Sequence, residues 1–126
     1  LMMPIKFREQ LENEEFVITR GLDNCINLFP IERWSEVEAR LKELKMTNSK
    51  HRAYQRFILS AATKLSLDNQ GRLSIPASLM KYSEIEKNAI ITGSDDRIEI
   101  WSEEKWETYM NEKIGIIEDI ADEIDF

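Results

Sequence analysis

The chain has one cysteine and one histidine. Cys25 alone excludes an internal disulfide and any cysteine-based zinc cluster. His51 alone leaves little room for His-based metal or triad chemistry. No apolar run approaches the ~20 residues that span a bilayer, and no signal-peptide pattern of basic, apolar and small residues is present. No nucleophile stands with a base, and no phosphate loop or metal set is visible. The paired acids Asp23 and Asp95 read as turn residues. The reading is therefore of a non-enzyme without catalytic residues, metal or cofactor. The scarcity of cysteine fits a reducing cytoplasm.

What is present is a globular composition. Apolar residues make up 42% and charged residues 33% of 126 residues, enough for one domain or two small repeats sharing a core. The net charge is −7, but it is unevenly spread. Between Lys45 and Arg72 stand Lys45, Lys50, Arg52, Arg56, Lys64 and Arg72 against Asp68 alone, a local +5 that leaves −12 for the rest. Acids gather at the end, in Glu118, Asp119, Asp122, Glu123 and Asp125. A local basic patch, rather than whole-chain charge, is what attracts phosphate, although such runs are often only a solvated face.

Hydrophobic periodicity and punctuation give the elements. A short helix runs from Pro4 to Leu11. Strands cover 16–19 and 25–29, with a turn at Gly21–Asn24. Pro30 opens an amphipathic helix to about Leu44, carrying Trp34, Val37 and Leu41 inward. After Thr47-Asn48-Ser49 a second helix reaches about Ala61, with Ala53, Tyr54, Phe57, Ile58 and Ala61 as its apolar face. Strand 63–67, a turn at 68–72, a short helix from Pro76, a hairpin at 89–101 and a helix capped by Ser102 complete the pass. The five methionines, Trp34 and Trp106 are expected to pack. Cys25 is expected to be buried or half-buried, and His51 to lie on a helix surface. Ile116 or Ile117, Ile120 and Ile124 form an apolar stripe on the acidic tail, suited to docking on a neighbouring subunit or to partial disorder.

A shift of 72 superposes the chain on itself without a gap. Pro4 meets Pro76, Gly21 meets Gly93, Ile26 meets Ile98 and Trp34 meets Trp106. Two strand–helix–hairpin–helix units must then share one core. The same shift places the counterparts of Asp68, Gly71 and Arg72 just before Leu1. The reading therefore expects a first strand and turn there, outside the sequence given.

The stretch Leu67 to Pro76 is the leading site. Asp68 and Gly71 suit the ends of a type I turn, or an αL glycine at a bulge, between two short strands. That turn would hold Asn69, Gln70 and Arg72 outward. A guanidinium can bridge the two acceptors of guanine or grip a phosphate, while pairing with Asp68 would only aim it. Asn69 and Gln70 can read base edges or be merely polar. Lys64, Arg52 and Arg56 suit phosphate contacts, though a solvated surface is the plainer reading of them. Asp68 and Gly71 shape the turn.

Residues 68–76, Asp-Asn-Gln-Gly-Arg-Leu-Ser-Ile-Pro, resemble the Asp-x-x-Gly-Arg-apolar-x-Ile-Pro signature of AbrB-like swapped-hairpin DNA binders. Together with the duplication, Thr19 to Asp23, Leu28-Phe29-Pro30 with Trp34, Arg52 to Phe57, and Arg97 to Trp101 with Trp106, the chain to about Tyr109 resembles the MraZ family. The resemblance implies an α+β fold, with two pseudo-symmetric AbrB-like swapped-hairpin repeats forming one β-barrel-like core with flanking helices. The division expected is 1–34 first repeat, 35–61 connecting helices, 62–106 second repeat, and 107–126 C-terminal helix and acidic tail. It also implies a nucleoid-associated repressor of the division and cell-wall gene cluster that includes its own gene. Such a protein would bind direct repeats of double-stranded promoter DNA through Arg72, Asn69, Gln70, Gly71 and Lys64, on a turn shaped by Asp68 and Gly71, as a ring-shaped homo-oligomer. The alternative is a ring-forming scaffold or inhibitory interaction module that never reads sequence.

Overall fold

The computed structural model describes residues 1–124. In order, its elements are α1 (Ile5–Leu11), β1 (Phe16–Arg20), β2 (Ile26–Pro30), α2 (Ile31–Lys42), α3 (Ser49–Leu59), β3 (Thr63–Leu65), α4 (Ala77–Ser83), β4 (Ala89–Ser94), β5 (Arg97–Ser102) and α5 (Glu103–Glu123). The five strands form one antiparallel sheet ordered β3-β1-β2-β5-β4. Asp125, counted above among the C-terminal acids, lies outside the described residues.

The two units meet at β2 and β5. Ile26 faces Ile100, Asn27 faces Glu99 and Leu28 faces Ile98. Shifting Ile26 and Leu28 by 72 gives Ile98 and Ile100, so the pairing maps onto itself and the duplication is written in the register. Side chains alternate between the two faces. One face carries Phe16, Ile18, Ile26, Leu28, Ile98 and Ile100, packed with Met3, Phe7, Leu11, Leu73 and Leu79 from both units into one core. The other face carries Val17 and Phe29 under Trp34, Leu41 and Ile58 of α2 and α3. Trp101 on β5 packs edge-on against Trp106 and at a tilt against Tyr109 of α5, with ring centroids 5.3 and 5.1 Å apart.

β4 departs from the gapless repeat. Ile18 faces Leu28, yet Ile91, not Ile90, faces Ile100. A one-residue slip exchanges the faces of a strand, so Ala89 and Ile91 turn to the shared core. The connection before β4 is one residue longer than that before β1. The hairpin tip is one shorter: Gly21 N–H bonds Cys25 O around three residues, whereas Ser94 faces Arg97 around two. The changes cancel, and the alignment shows no gap.

Several expectations shift. Pro4, Pro30 and Pro76 occupy the N-cap position, not the first helical one, with ψ of 148°, 153° and 146°. That extended geometry lets each end a strand-like segment and start a helix in a single residue. β3 stops at Leu65 instead of Leu67. Ala53 and Tyr54 are exposed, because Phe57, Ile58 and Ala61 already fill the contact of α3 with the sheet. Met2 and Met46 are exposed and do not pack. The sheet has two edges, β3 and β4, so the barrel-like core is completed by the flanking helices and not by a closed ladder of strands. The acidic tail is helical as far as Glu123.

α3 is pinned to the sheet through its own C-terminus. Its last carbonyls have no helical partner. The Thr19 hydroxyl donates to Ile58 O at 2.6 Å, and Arg20 Nη1 donates to Phe57 O at 2.9 Å.

Candidate nucleic-acid interface

The turn is a type I turn closed by a left-handed glycine, so both of the geometries read from the sequence occur together. Gly71 N–H donates to Asp68 O at 3.0 Å, Gly71 has φ +78°, and Asp68 N–H donates to Arg72 O at 3.0 Å. Its flanks are not two ladder strands as expected. Beyond the turn, Arg72 makes only an isolated bridge to Met2. The support comes instead from Leu67 and Leu73, which pack on the shared core, and from the backbone of residues 1–3.

Asp68 organises the tip. Its Oδ1 accepts the backbone N–H groups of Gln70 and Arg72 at 2.8 and 2.9 Å. Its Oδ2 accepts Arg72 Nε–H at 2.8 Å. The Arg72 backbone bond is the chief reason that its carboxyl titrates below the usual carboxylate range, with the guanidinium assisting against partial desolvation. The ion pair is solvent-exposed, so it contributes geometry more than stability. It leaves the guanidinium held at Nε. Among the described residues the two Arg72 Nη groups make no hydrogen bond, and they are the atoms that form a bidentate fork. Asn69 and Gln70 are exposed beside them.

Lys64 is exposed on edge strand β3, in register with Val17, and nothing joins it to the turn. The basic run is not one patch. α3 packs on one face of the sheet, whereas Leu67 and Leu73 beside the turn pack on the other. Arg52 is half-buried and bonds Met46 O at 2.8 Å, while Lys50 and Arg56 are exposed on α3.

One residue that the sequence analysis did not single out lies against the turn. Arg8 of α1 lies against Gly71, where a Cβ would stand 2.2 Å from Arg8 Cδ, and its Nε is buried without a partner among the described residues. No local signal in the sequence places α1 of the first unit beside the turn of the second. Arg8, Glu9, Glu12, Ser66 and Asn69 line a cavity of about 750 Å³ between α1 and the turn. Glu9 and Glu12 place negative charge beside the candidate contact surface.

Elsewhere, burial pushes the Cys25 thiol up to about 12, aided by Glu99, so it stays protonated at neutral pH and is no nucleophile. His51 Nδ1 accepts from Lys45 N–H at 3.0 Å, capping the α2–α3 connection. Among the described residues no three His, Cys, Asp or Glu are grouped to hold a metal, and no helix is long and apolar enough to cross a membrane.

Two strand–helix–hairpin–helix units around one core, each opening its first helix with proline, define a tandem swapped-hairpin protein of the AbrB-like class. The family described as MraZ protein matches this chain twice, over residues 1–57 and 58–126. The protein named Transcriptional regulator MraZ of Clostridium tetani is 47% identical over 124 residues, covering 98% of this chain and 86% of that one. Its namesake of Natranaerobius thermophilus is 44% identical, with the same shares of each chain covered. That of Lactiplantibacillus plantarum is 45% identical over 127 residues, covering 100% of this chain and 89% of its own. The chain belongs to the MraZ family. This is a family of transcriptional regulators and not of enzymes.

Proposed function

We propose that this chain regulates transcription by binding double-stranded promoter DNA through the Asp68–Arg72 turn. The finer reading is a repressor of the division and cell-wall gene cluster that includes its own gene, acting at the nucleoid on direct repeats. The carrying observation is the aimed arginine. Asp68 fixes Nε and the backbone of Arg72, leaving its Nη fork to a guanine or a phosphate. The relatives' shared name supports the regulatory role.

A single turn with Asp68, Asn69, Gln70 and Arg72 carries no net charge and a small footprint, far below that of a specific DNA complex. The reading therefore includes a ring of identical copies that presents several turns to successive repeats. Fluorescence anisotropy of the promoter duplex against a scrambled duplex, at two salt concentrations, tests it. Preference for the promoter sequence, with affinity falling as salt rises, is the expected result. Equal affinity for both duplexes would leave the second reading, a ring-forming scaffold without sequence-specific binding. That reading is favoured by Glu9 and Glu12 beside the turn.

A further inference from the structure

α5 is 21 residues long, about 31 Å at the helical rise. Only its first half touches the domain, through Trp106 and Tyr109 on Trp101. From Ile114 to Ile124 every residue is exposed. Met110, Ile114, Ile117, Ala121 and Ile124 follow one another at alternating steps of four and three, with Ile116 and Ile120 alongside. Such a seam belongs against a partner. Ile114, Ile116, Ile117, Ile120 and Ile124 are 53%, 57%, 40%, 45% and 49% exposed.

Charge says what that partner is. Glu118, Asp119, Asp122 and Glu123 crowd the negative end of the helix dipole, and the last turn holds no base. Two such tails side by side would bring like charges together. Exposed cations interleaved with apolar side chains occur elsewhere on this same chain, on the outward face of α3. Ala53, Arg56 and Leu59 point away from the sheet there, with Lys50 and Tyr54 beside them. Among the described residues neither Lys50 nor Arg56 is in an ion pair. This face lies across the sheet from the Asp68–Arg72 turn, so covering it leaves the turn open.

We propose that the C-terminal half of α5 docks on the α3 face of a second copy of this chain. The two surfaces differ, so the contact is head-to-tail and repeats from copy to copy, as a ring requires. The proposal rests on the self-assembly in the reading above, and not on DNA contact.

Sedimentation velocity of the full chain tests it, with Ile117→Asp on the tail and Arg56→Glu on α3. Neither side chain enters a buried cluster, and circular dichroism melting verifies that both variants fold. The wild type is expected to assemble, more weakly as salt rises, and each variant alone to dissociate at least ten times more readily. An equimolar mixture of the variants is expected to recover a heterodimer, because one copy keeps its tail and the other its α3 face. A monomeric wild type overturns the proposal. So does an Arg56→Glu chain that assembles like wild type, or a mixture that recovers nothing. Assembly without promoter binding would sink the DNA reading and leave the docking. Promoter binding by a monomeric wild type would do the reverse.

Discussion

Leu1 and Leu73 are the same position of the two repeats, and they pair with each other. Leu73 N–H donates to Leu1 O at 2.7 Å, and the Leu1 nitrogen donates to Leu73 O at 3.0 Å. Asn27 and Glu99, again equivalent, face each other in the middle of the sheet. A pseudo-twofold axis therefore runs from one pair to the other. It explains why Met3, Phe7, Leu73 and Leu79 fill one core, and it fixes the base of the Asp68–Arg72 turn directly beside the axis.

The attachment of α3 to the sheet depends on a fully buried hydroxyl. Thr19→Val keeps the shape but leaves the Ile58 carbonyl without its 2.6 Å donor. Chemical denaturation should show a loss of about 1–3 kcal/mol, the cost of an unsatisfied buried acceptor.

Gly71 is required by its backbone. At φ +78° a side chain is strained, and its Cβ would also displace Arg8. Gly71→Ala should lower stability by about 1–2 kcal/mol in urea titrations, the cost of a left-handed non-glycine residue. It should also weaken DNA binding, because Arg72 follows directly.

The order of the turn should depend on pH in one direction. The Asp68 carboxyl is depressed when folded, so its bonds are fully formed above the ordinary carboxylate range. They are lost as pH falls through its lower folded value. In NMR titrations the Gln70 and Arg72 amide shifts should move together, with a midpoint below that of an unpaired aspartate. Asp68→Asn should remove the transition.

Gly115 lies inside the continuous helix α5, where a Cβ would meet nothing within 4 Å. Gly115→Ala should stabilise that helix locally by about 1 kcal/mol. Slower amide exchange across residues 112–120 would register it, with the global unfolding midpoint unchanged because this half does not touch the core.

The sequence carried the helices, the hairpins and the duplication, because prolines, glycines and apolar spacing are local signals. It did not carry the slip of β4. An extra residue before the strand and a missing one at Asp95-Asp96 cancel in any alignment, and only cross-strand pairing reveals them. The Asp68–Arg72 pairing was legible as an option, since both residues sit on one short turn. The place of Arg8 was not, because it depends on α1 of one unit crossing to the turn of the other. The basic run misled for the same reason: residues adjacent in sequence end on opposite faces of a sheet.

The central claim is that Arg72, aimed by Asp68, contacts DNA. The most direct test is equilibrium binding of Arg72→Ala to the promoter duplex and to a scrambled duplex at fixed salt. The account predicts about a 10- to 100-fold loss on the promoter, matching the about 1–3 kcal/mol of one bidentate base contact, with a much smaller change on the scrambled duplex. Unchanged promoter affinity in a folded Arg72→Ala chain would contradict it.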